Sequence, residues 1–141
     1  MGKINFGRVI LGGLIAGLIV NIAEFVASMV FASQYEGMIA ELGLSPPAGS
    51  AMAVFTIYGF IWGILGIWLY AAIRPRYGAG PKTAMCAASA AWFFSYLGPL
   101  FMDSMMGIMP MNMAMMGAIW GLIELNIAFL AGAFLYKEEE A

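Results

Sequence analysis

Four long apolar runs, joined by three more polar connections, set the plan of this chain. They cover about residues 9–31, 52–73, 83–102 and 111–136. Each is near or above the ~20 residues that carry a helix across a bilayer core. None shows the period-2 alternation of a transmembrane β-strand. Backbone N–H and C=O groups in lipid need partners within their own segment, so the runs predict helices. The expected fold is an all-α integral membrane protein: a four-transmembrane-helix bundle, one domain over residues 1–141, with both termini cytoplasmic.

The connections carry their own signals. Arg74-Pro75-Arg76-Tyr77-Gly78-Ala79-Gly80-Pro81 reads as a turn in which proline stops the second helix and the glycines allow reversal. Residues 34–44 predict a short amphipathic helix, with Met38, Ile39 and Leu42 on one side and Glu41 on the other, ended by Ser45-Pro46-Pro47. Gly98-Pro99 is expected to kink or end the third helix. Pro110 suits the first turn of the fourth, where its missing N–H costs nothing. The first run follows Lys3 and Arg8, as a signal peptide would. It is longer than the 7–15 apolar residues usual there, and it contains Glu24, so it reads as a retained helix.

Residues three or four apart share a helix face, and each run has one face of small residues. They are Gly13, Gly17, Asn21, Glu24 and Ser28; Thr56, Gly59, Gly63 and Gly66; Ala84, Ala88, Ala91, Ser95 and Gly98; and Gly117, Gly121, Glu124, Ala128 and Ala131. Lipid tails give little hydrophobic drive for helices to meet, so close backbone approach must supply the attraction. The helices are therefore expected to pack through these Gly/Ala stripes. Larger residues, including Trp62, Trp68, Trp92 and Trp120, are free to face lipid. Ile61-Trp62-Gly63 and Ile119-Trp120-Gly121 repeat one another over too short a stretch to mark a duplication.

Composition agrees and narrows the chemistry. The chain is 63% hydrophobic and 10% charged, against about 45–50% and 25% in soluble domains. A soluble fold this small could not bury that much apolar surface. All six basic residues, Lys3, Arg8, Arg74, Arg76, Lys82 and Lys137, fall on one side of a four-span topology. The other side carries Glu36, Glu41 and Asp103. That asymmetry predicts cytoplasmic termini, and the acidic Glu138–Glu140 tail does not oppose it. There is no histidine, which excludes His-ligated metals and Ser-His-Asp or Cys-His catalysis. The single Cys86 forms no intrachain disulfide and is expected as a small packing residue inside a helix.

Glu24 and Glu124 are the residues that need a reason. An acid at mid-bilayer costs roughly 2.5–3.5 kcal/mol on insertion scales. Glu24 lies 16 positions past Arg8, roughly 24 Å along the axis, and Glu124 lies 13 before Lys137, roughly 20 Å. The two share a level to within about one turn. Asn21, Tyr58, Ser95 and Tyr96 count to the same depth, so a polar layer of six residues is expected across the four helices. Asn126 is close in depth but points away from Glu124. No Lys or Arg within the runs can neutralise the acids. They serve either as a proton- or cation-binding site or as hydrogen-bonding glue between helices.

Met102, Met105, Met106, Met109, Met111, Met113, Met115 and Met116 crowd the third connection and its flanks. Thioethers favour Cu(I), and Met105, Met109, Met111 and Met113 are the candidate ligands, the last three adjacent on one side of an extended segment. The plainer role is flexible apolar filler.

In plan, four short helices with a glutamate in the first resembles the small multidrug-resistance exporters. Glu124, the long acidic first connection and the methionine-rich third depart from that plan, and no shared motif carries residues across. The function expected is proton- or cation-linked transport of a small solute, or a channel, using the glutamate pair. The alternative is a non-catalytic structural or accessory subunit. A prokaryotic cytoplasmic membrane is the expected setting. Lipid, further copies of the chain and a small molecule or ion are the expected partners, with no nucleic acid, cofactor or enzymatic role.

Overall fold

The computed structural model describes residues 3–139. Among the described residues, all regular structure is helical except one isolated β-bridge between Lys3 and Glu139. Residues 1, 2, 140 and 141, Glu140 of the acidic tail among them, lie outside the description. Four helices are long and apolar enough to cross a membrane: Phe6–Val30, Gly49–Tyr77, Pro81–Met105 and Met111–Phe134.

Helix α1 (Phe6–Val30) begins earlier than its apolar run because Asn5 caps it, Oδ1 accepting from the Arg8 N–H at 3.0 Å. After a break at Phe31 the chain continues into α2 (Ala32–Glu41), the short helix expected there, with Ile39 buried and Met38 half-buried. Helix α3 (Gly49–Tyr77) runs through Pro75, which does not stop it. The proline removes one hydrogen bond, but only two residues before the helix ends. The end is made by Gly78 at φ +86°, whose N–H closes on the Arg74 carbonyl.

The third long helix is built in three parts: α4 (Pro81–Trp92), a π-turn (Phe93–Leu97) and α5 (Gly98–Met105). Gly98-Pro99 therefore neither ends nor interrupts it. Pro99 has no N–H to offer the preceding turn, and a wider five-residue turn stands just before it, with the Gly98 N–H donating to the Phe93 carbonyl. Helix α6 (Met111–Phe134) has Pro110 as its N-cap, one residue ahead of the expected first turn.

In the bundle α1 packs on α3 and α6, α4 packs on α6 and α3, and α3 meets α6 across the middle. Glycine sets these distances. A Cβ on Gly13 would stand 2.5 Å from the Ile64 Cα, and one on Gly17 would stand 2.7 Å from the Phe60 Cα. A Cβ on Gly63 would overlap the backbone of Gly13 and Gly17. Gly12 and Gly132 face each other so closely that a Cβ on either would lie within 2.6 Å of the other's carbonyl oxygen. The Phe129 ring fills the space over Gly66 and, with Ile67, Leu125 and Val9, makes the fully buried centre. Trp92 and Trp120 are half-buried against protein, and Trp62 packs on the core; Trp68 is the exposed one of the four. Cys86 lies in α4 but on its exposed side, not packed as expected.

Beyond the level of Gly59, Met52 to Tyr58 are all exposed, while the Thr56 carbonyl still meets the Asn21 amide of α1. Large apolar side chains such as Leu18, Ile22, Leu65, Ile123 and Ile127 also point outward. Apolar surface on this scale is incompatible with water and is what helices compatible with a membrane present to lipid.

At the end opposite α2 the two chain ends meet. The Glu139 N–H donates to the Lys3 carbonyl at 3.3 Å, and the Asn5 N–H donates to the Tyr136 hydroxyl at 3.4 Å. Arg74 lies 3.2 Å from Glu138 and 5.4 Å from the centre of the Tyr136 ring. Tyr136 packs edge-on against Tyr70, whose hydroxyl accepts from the Gly80 N–H at 3.2 Å. One cluster thus ties both termini to the α3–α4 turn.

Replacing Gly63 by Leu forces two backbones apart and is expected to lower stability by about 1–3 kcal/mol or more, measured by denaturant titration in mixed micelles. Gly37 has nothing near its Cβ position, so Gly37→Ala is expected to be neutral or to stabilise by about 0.5–1 kcal/mol.

Candidate functional site

The π-turn carries the residue that joins the two glutamates. Ahead of it, Trp92 anchors α4 to α6, its Nε1 donating to the Ala118 carbonyl at 2.7 Å. Within it, the Ser95 hydroxyl donates back to the Ala91 carbonyl at 2.7 Å. Tyr96 then projects across α6. Its ring lies directly over Gly121, where a Cβ would overlap the ring carbons. Gly121 is therefore the seat that lets the phenol reach the middle of the bundle.

The Tyr96 hydroxyl lies 2.5 Å from Glu24 Oε1 and 3.2 Å from Glu124 Oε1. Its two contacts link side chains of three long helices. Glu124 is only 3% exposed, whereas Glu24 lies on an exposed side of α1. The phenol owns a single hydrogen. Donated to Glu24, it makes the short bond usual for O–H to carboxylate. The contact with Glu124 is then a hydrogen bond only if Glu124 holds a proton and donates it to the phenol oxygen. Two acids and one phenol in this geometry thus share hydrogens that no single one of them can supply alone.

One oxygen of Glu124, Oε2, is buried without a hydrogen-bond partner, as is Nε1 of Trp120, one turn away on the same face of α6. Trp120 and Glu24 are the other polar neighbours of the Glu124 carboxyl besides Tyr96. The Trp120 indole also meets the Phe31 ring edge-on at 5.7 Å, which places the α1–α2 break over this level. Sequence reasoning gave Trp120 to lipid. The four-residue interval from Glu124 was the signal that it belongs beside the acid.

The remaining members of the expected polar layer are used elsewhere. The Asn21 amide donates to the carbonyls of Gly17 at 2.8 Å and Thr56 at 3.2 Å, which fastens α1 to α3. Ser95 is occupied by its own helix. Tyr58 is exposed on α3 and is not brought to the acids. Counting depth along an axis finds a level but not an azimuth. Asn126 donates to the Leu122 carbonyl at 2.8 Å, and its Oδ1 is buried and unpartnered.

The methionine-rich connection is not extended as its spacing suggested. Met105 ends α5, and Met111 and Met113 are already in α6. Met105, Met109 and Met111 line a groove at the end of the bundle opposite the termini, while Met113 is half-buried and does not line it. Among the described residues no group of three or more Cys, Asp or Glu side chains is placed to hold a metal ion.

Comparison with protein-family models, with curated proteins and with solved structures yields no match.

Tyr96→Phe keeps the ring over Gly121 and removes only the shared hydroxyl. It is expected to cost about 1–3 kcal/mol, because it leaves buried polar atoms unpaired. The carboxylic C=O stretch of Glu124 is expected to move in the infrared. Unchanged stability with an unmoved band would show that the phenol bonds to neither acid.

Proposed function

We propose that this is a small multi-pass membrane protein in which Glu24, Tyr96 and Glu124 form a proton- or cation-exchange site serving the movement of a small solute. The observation that carries this reading is the single phenol oxygen lying between two carboxyls. Acids that only glue helices together need one donor each. Here hydrogens must be shared, and the hydrogen on Tyr96 can turn toward either side. A hydrogen held by Glu24 can be relayed through the phenol to the buried Glu124, or returned, with no other titratable group. The runs contain no Lys or Arg, so a proton or a small cation is the charge that these acids have available. The basic side of the topology places the termini in the cytoplasm in this reading.

A second reading has its own observation. Asn21 spends its amide on the carbonyls of Gly17 and, on the neighbouring helix, Thr56, which is how polar residues fasten helices in a protein that moves nothing.

Reconstitution separates the two. In proteoliposomes loaded with a pH-sensitive dye, the wild-type protein is expected to dissipate an imposed pH gradient faster than protein-free vesicles do. Glu24→Gln and Glu124→Gln are each expected to abolish the difference while remaining folded by circular dichroism. Flux no faster than that of empty vesicles leaves the fastening role.

A further inference from the structure

The groove at the end opposite the termini is built from two separate segments. The α1–α2 break at Phe31 brings α2 over the α5–α6 connection. Met38 and Glu41, three apart and so on one face of α2, then line the same groove as Ser104, Met105, Met109 and Met111. The connection is shaped to do this. Gly107 at φ +74° reverses it, and the N–H groups of Ile108 and Met109 both close on the Asp103 carbonyl, at 2.9 and 3.3 Å. The Ser104 hydroxyl lies 3.7 Å from the Met111 sulfur. The cavity measures about 570 Å³.

Filler methionines pack into apolar surface. These four thioethers instead border an open space whose wall also holds a carboxylate and a hydroxyl. Thioethers are soft, neutral ligands that prefer monovalent copper to hard or borderline cations. A set of them leaves the charge of the ion uncompensated, and the Glu41 carboxylate supplies the balance from the same wall. The geometry points to a binding site for Cu(I), or its redox-inert analogue Ag(I), formed by Met38, Met105, Met109 and Met111 with Glu41 as the counter-charge. No electron transfer is involved; sulfur lone pairs bind the ion and no bond is broken. Thioethers carry no proton to displace, so binding persists at acid pH, where thiolate and imidazole ligation fades. The site is independent of the Glu24–Tyr96–Glu124 group.

The only other soft side chain of a different type is Cys86. It lies 19 positions before Met105 on the same long helix, roughly 28 Å away along the axis. It is the natural control. Purified wild-type protein in detergent is titrated with Ag(I), and with Cu(I) under reducing conditions against a competing chelator, at pH 7.5 and pH 5. Sub-micromolar binding of one ion at both pH values is expected. The triple replacement of Met105, Met109 and Met111 by Leu conserves volume, so the fold is expected to survive by circular dichroism. It is expected to weaken binding by roughly tenfold or more, the scale on which even indirect partners of a metal act. Cys86→Ser and Met52→Leu are expected to leave affinity unchanged. Wild-type binding no tighter than micromolar, equal affinity in the triple variant, or loss on Cys86→Ser would each overturn the assignment.

Discussion

The bundle depends on how closely a few backbones approach one another. Around Gly12, Gly13, Gly17, Gly63 and Gly132 the helices touch main chain to main chain, at separations no β-carbon would permit. In water such closeness would be one contributor among many. In lipid, where apolar side chains gain nothing by leaving their surroundings, dispersion and interhelical hydrogen bonds between near backbones supply most of the attraction. The contact joins α1 to α3 through Gly13, Gly17 and Gly63, and α1 to α6 through Gly12 and Gly132.

Glu24 on α1 and Glu124 on α6 are bridged from the third long helix by a long side chain on a widened turn. The π-turn, Gly121 and the length of a phenol are thus parts of one solution. Trp92, bonded to α6 one turn earlier, fixes the register from which Tyr96 projects. The same residues that make the crossing possible leave Glu124 shielded and Glu24 open, so the two acids are chemically alike but sit in different surroundings.

The long apolar helices were legible in the sequence because apolar length is a direct measure of what a helix can cross. Their ends were less so. Asn5 extended α1 through a cap, and Pro75 removes a single hydrogen bond two residues before α3 ends. Tyr96 and both glutamates could be named from depth alone. Tyr58 could not be set aside on that basis, since axial counting says nothing of which way α3 leans. Asn21 shows the same limit: it has the right depth, yet its amide is claimed by Thr56 on the neighbouring helix. The groove of thioethers was half visible. Its methionines were counted, but the fold-over of α2 that adds Met38 and Glu41 depends on a tertiary packing event at Phe31.

The order of the chain gives the shared hydroxyl a meaning in time. Tyr96 follows Glu24 by 72 positions, and Glu124 comes later still. A ribosome therefore delivers α1, with its acid, long before anything exists to bond that acid. Helix α3 can join α1 early through their glycines, but the second wall of α1 is α6, the last long helix made. Until Tyr96 follows, the nascent hairpin carries the Glu24 carboxyl without its hydrogen-bond partner. Holding it near the aqueous channel of the insertion machinery, rather than releasing it into lipid, is the task that this arrangement sets for the cell.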